Sequence, residues 1–376
     1  MDSKDYFDLH QESIIDDIEQ LVRADSPSSN KQLADQCKEV IQGMLQSYFQ
    51  YQAEEIEMSE VGNHLKFTYG EVDEQVLLVG HYDTVWNEGQ LSYYQTSDKI
   101  FGPGILDMKA SIVSAIWFIK YIHEFHIPLQ REIVLFINSD EEIGSLSSRP
   151  FIEIEAKKSV AAFVLEPPVV GTGALKTARK GTSRYKLNIR GRSAHAGNNP
   201  QDGVNAITEA AKQIIKIDAL ANKDKGTTIN VGMVEGGGKL NVIPNEAHLG
   251  IDVRATSLDE QMRVDEFFEH IHAVDQRIHI EVEGGINRPP MNKSTESAYL
   301  YRIAKEEADA LGIKLQEARV GGASDGNFTA QLCPTLDGFG FIGDGIHAEH
   351  EHIKCAHITE RMALLTNTVL EYIRHG

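Results

Sequence analysis

Cysteine is scarce in this sequence, and its placement excludes two kinds of site. The chain has 3 cysteines, Cys37, Cys333 and Cys355, an odd number without the paired spacing of a thiolate metal site. A disulfide framework is therefore not expected, and neither is a zinc site built on sulfur. We interpret these cysteines as reduced thiols without a catalytic role.

Basic residues are also in the minority, which limits the classes of partner. Lysine and arginine together number 36 against 56 acidic residues, for a formal net charge of -20. Nucleic acids and anionic membranes recruit proteins through basic patches, so neither is expected as a partner.

Long apolar runs are absent as well. No stretch reaches the roughly 18 apolar residues that a membrane-spanning helix needs, and the opening MDSKDYFDLH lacks the charged-then-apolar pattern of a secretory signal. We therefore expect a cytoplasmic protein. With 376 residues, of which 41% are hydrophobic, the chain is long enough for two folded domains.

A short apolar segment near residue 80 is the starting point for the predicted site. Val76 to Val79 show no helical period and are closed by Gly80, which predicts a buried parallel strand. Open α/β folds bind their ligands at the carboxyl ends of such strands. This strand delivers His81 and Asp83 to that edge, both pointing the same way on an extended backbone.

Further carboxylates follow other segments of the same kind. They are Glu141 and Glu142 after the predicted strand Glu132 to Asn138, Glu166 after the predicted strand Val160 to Leu165, and Asp107 after a glycine-rich turn. Asp107 is also predicted to open the helix Met108 to Tyr121. We expect the three strand ends to converge on one edge of the sheet.

The order of predicted elements indicates two domains. Apolar spacing predicts helices over Asp5 to Val22 and Lys31 to Gln50 before the strands of an α/β domain. From about residue 179 the order becomes β-α-β-β-α-β, the ferredoxin-like α+β arrangement. We expect an inserted domain over 179–288, and a first domain formed by 1–178 and 289–376.

Two imidazoles and three carboxylates, each from a separate segment, suit a metal site: His81, Asp107, Glu142, Glu166 and His347. Nitrogen and carboxylate oxygen without thiolate favour Zn²⁺, with Co²⁺ or Mn²⁺ as alternatives. Five ligands can hold two ions, and we expect Asp107 to bridge them. His81 and Glu166 would then hold one ion, and Glu142 and His347 the other. Ions about 3.5 to 4 Å apart polarise a carbonyl and acidify a shared water.

Such a water needs a base, and Glu141, next to the expected ligand Glu142, is placed to take its proton. Asp83 is expected to hold the His81 imidazole in its ligating orientation. Each residue also has a plainer interpretation, because acidic triplets are usually solvated and most histidines are not ligands. Other histidines share the HAEHEHI run of His347, so His350 and His352 are neighbouring alternatives.

The inserted segment offers candidates for substrate contacts. His195 in GRSAHAG is either functional or a plain loop histidine, and Arg254 ends a strand where a surface ion pair is the usual role. Arg288 and Asn241 lie near the edge of the segment, and a guanidinium fork suits a substrate carboxylate. Gly322 lies in the loop GGASDGN, which either approaches a ligand closely or caps a helix.

A series of motifs resembles one known family: GHYDTV, GPGILDMK, SDEEIG, LEP, GRSAHAG, NVIP, DVRA, GGASDGN and GIHAEHE, in this order. It resembles the dinuclear zinc aminoacylase and carboxypeptidase family, in particular its glutamate carboxypeptidase branch of the carboxypeptidase G type, over nearly the whole chain. The resemblance implies a zinc exopeptidase fold, with a mixed sheet flanked by helices. It also implies that the inserted domain is a lid that forms a homodimer.

Residue by residue, the resemblance implies that the five expected ligands match those of the family. It further implies that Glu141 is the general base and Asp83 the supporting aspartate. His195 is implied to stabilise the oxyanion, in its own or the partner subunit, with Asn241 assisting. Arg254 or Arg288 is implied to hold a substrate carboxylate.

The sequence thus predicts a two-zinc hydrolase that cleaves the amide bond before a C-terminal amino acid, with glutamate-like residues as the first expectation. An N-acyl amino acid deacylase would use the same metals and base. A non-catalytic binding protein on the same scaffold is the alternative from another class. The expected partner is a small peptide or an N-acyl amino acid.

Overall fold

The computed structural model describes residues 1–375. The helices are α1 (Ser3–Leu9), α2 (Gln11–Val22), α3 (Lys31–Phe49), α4 (Ala110–Glu124), α5 (Arg149–Lys158), α6 (Ala206–Asp218), α7 (Leu258–Glu269), α8 (Thr295–Ala310), α9 (Gly326–Thr329) and α10 (Ile358–His375). The strands are β1 (Glu54–Ile56), β2 (His64–Tyr69), β3 (Gln75–His81), β4 (Tyr94–Gln95), β5 (Lys99–Phe101), β6 (Glu132–Asn138), β7 (Ser159–Val164), β8 (Leu175–Arg179), β9 (Gly181–Arg190), β10 (Ala194–His195), β11 (Thr228–Gly236), β12 (Val242–Ile243), β13 (Glu246–Ala255), β14 (His279–Arg288), β15 (Glu317–Val320), β16 (Thr335–Asp337), β17 (Gly343–Asp344) and β18 (His352–Lys354).

The chain divides into two units. The first contains Met1–Ala178, Lys293–Val320 and the chain from Ser324 onward, and the second contains Arg179–Asn292 with Gly321–Ala323. Within the described residues, no helix combines the length and hydropathy of a membrane span.

The first unit is built on an eight-stranded sheet with the order β1-β2-β6-β3-β7-β16-β8-β15. The central strands β6, β3, β7 and β16 run parallel to one another, whereas β2 pairs antiparallel to β6 and β8 pairs antiparallel to β16. The sheet is therefore mixed, and helices pack on both of its faces, which confirms the predicted α/β class.

Strand β3 shows why this segment is apolar without alternation. Val76 and Leu78 face one hydrophobic cluster, which includes residues of α2, α3, α4 and α10. Leu77 and Val79 face the opposite cluster, which includes Phe136 and residues of α5. All residues of β3 are buried, as expected for a central parallel strand that is covered on both faces.

The N-terminal helix differs from its prediction. The single predicted helix Asp5 to Val22 is two helices that meet at His10. The His10 ring bonds the carbonyl of Tyr6 through Nδ1 at 2.8 Å and lies 4.4 Å from the Tyr6 ring. This local packing interrupts an apolar period that would otherwise continue.

A second, small sheet has the order β17-β18-β5-β4 and was not predicted. Its strands have two or three residues each, too short for a pattern of apolar residues to be recognised. Antiparallel pairing brings Phe101 opposite His352, so this sheet joins segments that are distant in sequence.

The second unit contains a four-stranded antiparallel sheet with the order β11-β13-β9-β14. Numbered along the chain, its strands stand in the order 2-3-1-4, which is the ferredoxin-like arrangement read from one edge. Helices α6 and α7 contribute to a separate hydrophobic core with Leu187, Leu249 and Phe268. This α+β unit therefore has its own core.

Candidate metal centre

The three neighbouring parallel strands β6, β3 and β7 have their carboxyl ends on the same side of the large sheet. β3 lies between β6 and β7, with His81 opposite Asn138 and Val79 opposite Val164. The segments that leave β6 and β7 therefore start beside His81, as expected from their apolar runs and polar ends. They carry Glu141 and Glu142 after β6, and Glu166 after β7.

Asp107 reaches this edge from a loop. The prediction that it opens a helix is wrong, because α4 begins at Ala110 and Asp107 has φ -122° and ψ 89°, which is not helical. The preceding turn contains Gly104 with φ 69°, where a side chain would also lie 2.4 Å from the Thr84 methyl carbon. The extended backbone at Asp107 projects its carboxylate toward the end of β3.

The two oxygens of the Asp107 carboxylate face two different imidazoles. Nε2 of His81 lies 3.2 Å from Oδ1, and Nε2 of His347 lies 3.6 Å from Oδ2. On one side, His81 Nε2 is also 3.7 Å from Glu166 Oε1. On the other side, His347 Nε2 is 3.1 Å from Glu142 Oε1. The five expected ligands thus meet, with Asp107 in the middle.

The structure also distinguishes His347 from the other histidines of its run. His347 has a left-handed φ of 58°, which is uncommon for a residue other than glycine. His352 instead bonds the carbonyl of His350 at 2.7 Å and packs 5.0 Å from the ring of Phe101. Of these histidines, His347 is the one in contact with Glu142 and Asp107.

The charges at this edge are predominantly negative and buried. Burial, with the nearby charge of Asp107, raises the pKa of Glu142 to about 7. Hydrogen bonds to Asp107 and Glu142 raise the pKa of His347 to about 10. Burial opposes ionisation of His81, but Asp107, Asp83 and Glu166 together raise its pKa well above the ordinary value. The site therefore attracts positive charge.

The residues fit divalent cations. One ligand atom from each of His81, Asp107 and Glu142 lies within 4.8 Å of the others, and so does one from each of His81, Glu141 and Glu166. Across residues 1–375, the ion pairs of Asp107 and Glu142 are with imidazoles and not with lysine or arginine. Nitrogen and carboxylate donors without sulfur are the set that zinc, cobalt and manganese share.

Asp83 supports three of these residues. It is fully buried, and His81 Nδ1 lies 3.1 Å from its backbone carbonyl oxygen and 3.3 Å from its Oδ1. Its two carboxylate oxygens accept the backbone N–H groups of Glu141 and Glu142, each at 3.2 Å. Ser28 donates its hydroxyl to the same carboxylate at 2.7 Å. Asp83 therefore orients the imidazole and also the turn that carries both glutamates.

The sequence also matches the profile of a known protein family over most of its length. The profile of Peptidase family M20/M25/M40 matches residues 77–371. The chain belongs to this family. It is therefore a metal-dependent hydrolase of the M20/M25/M40 type.

Two relatives and one solved structure illustrate the range of this peptidase family. Carboxypeptidase G2 of Pseudomonas sp. (strain RS-16) is 29% identical over 317 residues, covering 80% of this chain and 75% of the relative. Succinyl-diaminopimelate desuccinylase of Sulfurimonas denitrificans is 26% identical, covering 82% and 87%. A Bacillus subtilis protein, described as a dinuclear metal-binding peptidase of the M20 family, is 15% identical with a TM-score of 0.71, covering 98% and 99%. The last likeness shows the shared fold.

His195 and Asn241 lie close together in the second unit of this M20/M25/M40 enzyme. β10 and β12 pair with His195 opposite Val242, and the Asn241 carbonyl accepts the N–H of Ala196 at 3.0 Å. Nδ1 of His195 accepts the N–H groups of Gly197 and Asn198 at 3.1 and 3.0 Å. The neutral ring therefore carries its proton on Nε2, on an exposed side chain.

The two candidate arginines flank one residue of strand β9. Arg254 of β13 and Arg288 of β14 both stand opposite Thr182. Arg254 forms a two-pronged pair with Asp252 at 2.8 and 3.1 Å, whereas Arg288 is 4% exposed. Gly322 belongs to the same unit, and its carbonyl accepts Nη1 of Arg179 at 3.2 Å.

Sequence reasoning missed two buried carboxylates near the metal centre. Glu351 contacts the loop that carries Asp107, and Asp325 accepts hydrogen bonds from Asn138 at 2.6 Å and from the Ser145 hydroxyl. Asp325 thereby joins the GGASDGN loop to the turn after β6. A single acidic residue in a polar run carries no sequence signal for such a role, because its partners are distant in the chain.

Proposed function

We propose that this M20/M25/M40 enzyme is a two-metal carboxypeptidase that hydrolyses the amide bond before a C-terminal amino acid, with glutamate-like residues the first candidates. The observation that carries this proposal is the Asp107 carboxylate, whose two oxygens face His81 and His347. His81, Asp107 and Glu166 would hold one ion, and His347, Asp107 and Glu142 the other. Zinc is the first choice of metal, with cobalt or manganese as alternatives.

Two such ions, when bound, polarise the scissile carbonyl and lower the pKa of a water molecule beside it. Glu141 takes the proton of that water and then delivers it to the leaving nitrogen. Asp83 supports this transfer by holding the backbone N–H of Glu141 and the ring of His81. Glu141 thus acts as base and proton donor, and Asp83 as the orienting carboxylate, at the same end of the parallel strands.

Residues of the second unit are proposed to contact the substrate. His195 carries its proton on Nε2, so it can donate a hydrogen bond to the oxyanion, from its own or the partner subunit. Asn241 would assist it, and Gly322 would place its backbone against the substrate. A substrate carboxylate would bind Arg288, or Arg254 in competition with Asp252. We propose that this unit is the lid and the homodimer interface.

A second candidate function is the hydrolysis of N-acyl amino acids. The desuccinylase relative favours it, because the reaction that its name describes also breaks an amide bond. Release of amino acid from N-blocked dipeptides, compared with release from N-acetyl and N-succinyl amino acids, separates the two functions. The cytoplasmic location stays a prediction.

The central test is Glu141→Gln, because it keeps the size of the side chain and removes the base. We expect hydrolysis to fall by about 100-fold or more, with both metals retained in elemental analysis. Glu153→Gln is the matched control, since Glu153 lies on α5 and pairs with Arg149 at 2.7 Å. Full activity of Glu141→Gln would refute the assigned base, and a wild-type protein that binds metal but hydrolyses no substrate of either class would favour a binding protein.

A further inference from the structure

Glu351 is a buried carboxylate whose environment the proposed reaction does not explain. Its side chain is 2% exposed and accepts hydrogen bonds from four N–H groups. Oε1 accepts the backbone N–H groups of Leu106 at 2.9 Å and Asp107 at 3.1 Å. Oε2 accepts the indole N–H of Trp86 at 2.7 Å and the backbone N–H of Gly104 at 3.0 Å.

Only a carboxylate satisfies this arrangement of donors. Four N–H groups converge on two oxygens, and an ionised Asp or Glu is the side chain that presents two oxygens that both only accept. Glutamine would turn its NH₂ group toward one pair of donors and leave those N–H groups without an acceptor. If Glu351 only filled space, glutamine would serve as well, because its side chain has nearly the same shape.

The donors belong to the loop that presents Asp107. Three of the four are backbone N–H groups between Gly104 and Asp107, where the chain has left β5 and has not yet entered α4. Asp107 lies inside the single π-helical turn Ile105–Lys109, which is closed by the hydrogen bond from the Lys109 N–H to the Gly104 carbonyl at 2.8 Å, but its own φ and ψ are not helical. Glu351 supplies the acceptors for the N–H groups of Gly104, Leu106 and Asp107.

Glu351 is also fixed relative to His347. Its N–H donates to the carbonyl of Ala348 at 2.9 Å, and its carbonyl accepts the N–H of Gly102 at 3.4 Å, next to the β5–β18 pairing. The same short loop therefore carries the imidazole that faces Oδ2 of Asp107 and the carboxylate that holds the backbone N–H of Asp107.

We propose that Glu351 is a positioning residue for the metal centre: it fixes the backbone of Asp107 so that one carboxylate oxygen faces His81 and the other faces His347. The inference rests on the proposed two-metal function. Without Glu351, Asp107 is free to rotate toward one imidazole, and a bridging geometry is lost. The effect is therefore on metal binding and on its geometry, not on substrate binding.

Glu351→Gln tests the proposal, with wild-type protein measured in parallel. Metal-free proteins are titrated with Zn²⁺ against a chromophoric chelator, and the visible absorption spectrum is recorded after loading with Co²⁺. We expect the affinity for at least one ion to fall by about 10- to 100-fold, the usual range for groups that orient a metal ligand. The Co²⁺ spectrum should change, and KM for substrate at saturating metal should stay near the wild-type value.

Glu209→Gln is the matched control. Glu209 is 1% exposed, lies in the second unit and accepts the backbone N–H groups of Val274 at 2.6 Å and Asp275 at 3.3 Å. This variant also disturbs a loop held by a buried glutamate, so it should lower the Tm without changing Zn²⁺ affinity or the Co²⁺ spectrum. If Glu351→Gln does not fold, Glu351→Asp, which keeps both acceptor oxygens on a shorter side chain, is measured in the same way.

The outcomes separate the two proposals. A wild-type protein that binds two ions, together with a Glu351 variant of wild-type affinity and spectrum, would overturn the positioning role alone. A wild-type protein that binds no metal would overturn the two-metal function and the positioning role with it. A loss of Zn²⁺ affinity that Glu209→Gln shares equally would also refute the positioning role, because it would reflect general destabilisation.

Discussion

Replacing Asp83 by asparagine should weaken the metal centre without removing any ligand. The carboxylate is fully buried: Oδ1 accepts the Glu141 N–H, and Oδ2 accepts the Glu142 N–H and the Ser28 hydroxyl. His81 Nδ1 lies 3.3 Å from Oδ1, but it is closer, at 3.1 Å, to the backbone carbonyl of Asp83, which the substitution keeps. Asparagine keeps one acceptor oxygen. Its NH₂ group is tolerated best on the Oδ2 side, where the Ser28 oxygen can accept from it.

In that orientation the backbone N–H of Glu142 loses its acceptor at a partly buried position. An unsatisfied buried donor costs about 1–3 kcal/mol of folding free energy. The turn that carries Glu141 and Glu142 also loses one of its two attachments to Asp83. For a group that orients metal ligands, we expect a loss of about 10- to 100-fold in metal affinity or in kcat/KM.

The measurements are chelator competition for Zn²⁺, hydrolysis of an N-blocked dipeptide and thermal unfolding. Asp140→Asn is the matched control in the same turn. Oδ2 of Asp140 accepts the N–H and hydroxyl of Ser147, both at 2.7 Å, and an asparagine oxygen can replace it. If Asp83→Asn and Asp140→Asn showed equal metal affinity and activity, the orienting role of Asp83 would be refuted.

Two further predictions concern the same region. Gly104→Ala should lower stability by about 1–3 kcal/mol and weaken metal binding, because its new methyl group would lie 2.4 Å from the Thr84 side chain. Gly89, whose φ of 66° is similar, has open space around it, so Gly89→Ala should cost only backbone strain. Equal effects of the two variants in chelator competition would contradict the steric argument. Removing metal with a chelator should lower the Tm, since an ion present at 100 times its Kd adds about 2.7 kcal/mol to stability; an unchanged Tm in a thermal scan would argue against a buried metal site.

The strand ends that form the site were predictable because they depend on local sequence. Val76 to Val79 are apolar on both faces and stop at a glycine before His81, and Glu132 to Asn138 end in a polar asparagine before the acidic turn. Burial of a central parallel strand requires such a run, and its carboxyl end has a known position in α/β folds. The second of these strands has the predicted limits in the structure.

The environment of Asp107 was not predictable in this way. Its loop is held by Glu351 and by the small sheet in which Phe101 pairs with His352, contacts between segments about 250 residues apart. A helical period that includes Met108 suggested that Asp107 opens a helix, but the contacts with Glu351 hold the backbone in another conformation. Long-range hydrogen bonds of this kind leave no periodic pattern in the sequence.

The buried carboxylates fall into two groups by their hydrogen-bond partners: those that position other residues, and those that would face a cation. Asp83 and Glu351 accept backbone N–H groups on both oxygens, so the protein supplies a partner for each oxygen, although burial still raises the pKa of Glu351. Within residues 1–375, the side chains of Asp107 and Glu142 accept no backbone N–H and face imidazoles. Neutral imidazoles compensate no charge, and protonated ones cannot ligate a metal. When the histidines act as ligands, divalent cations between these side chains would compensate the charge on Asp107 and Glu142, whereas N–H groups of the protein face both oxygens of Asp83 and Glu351.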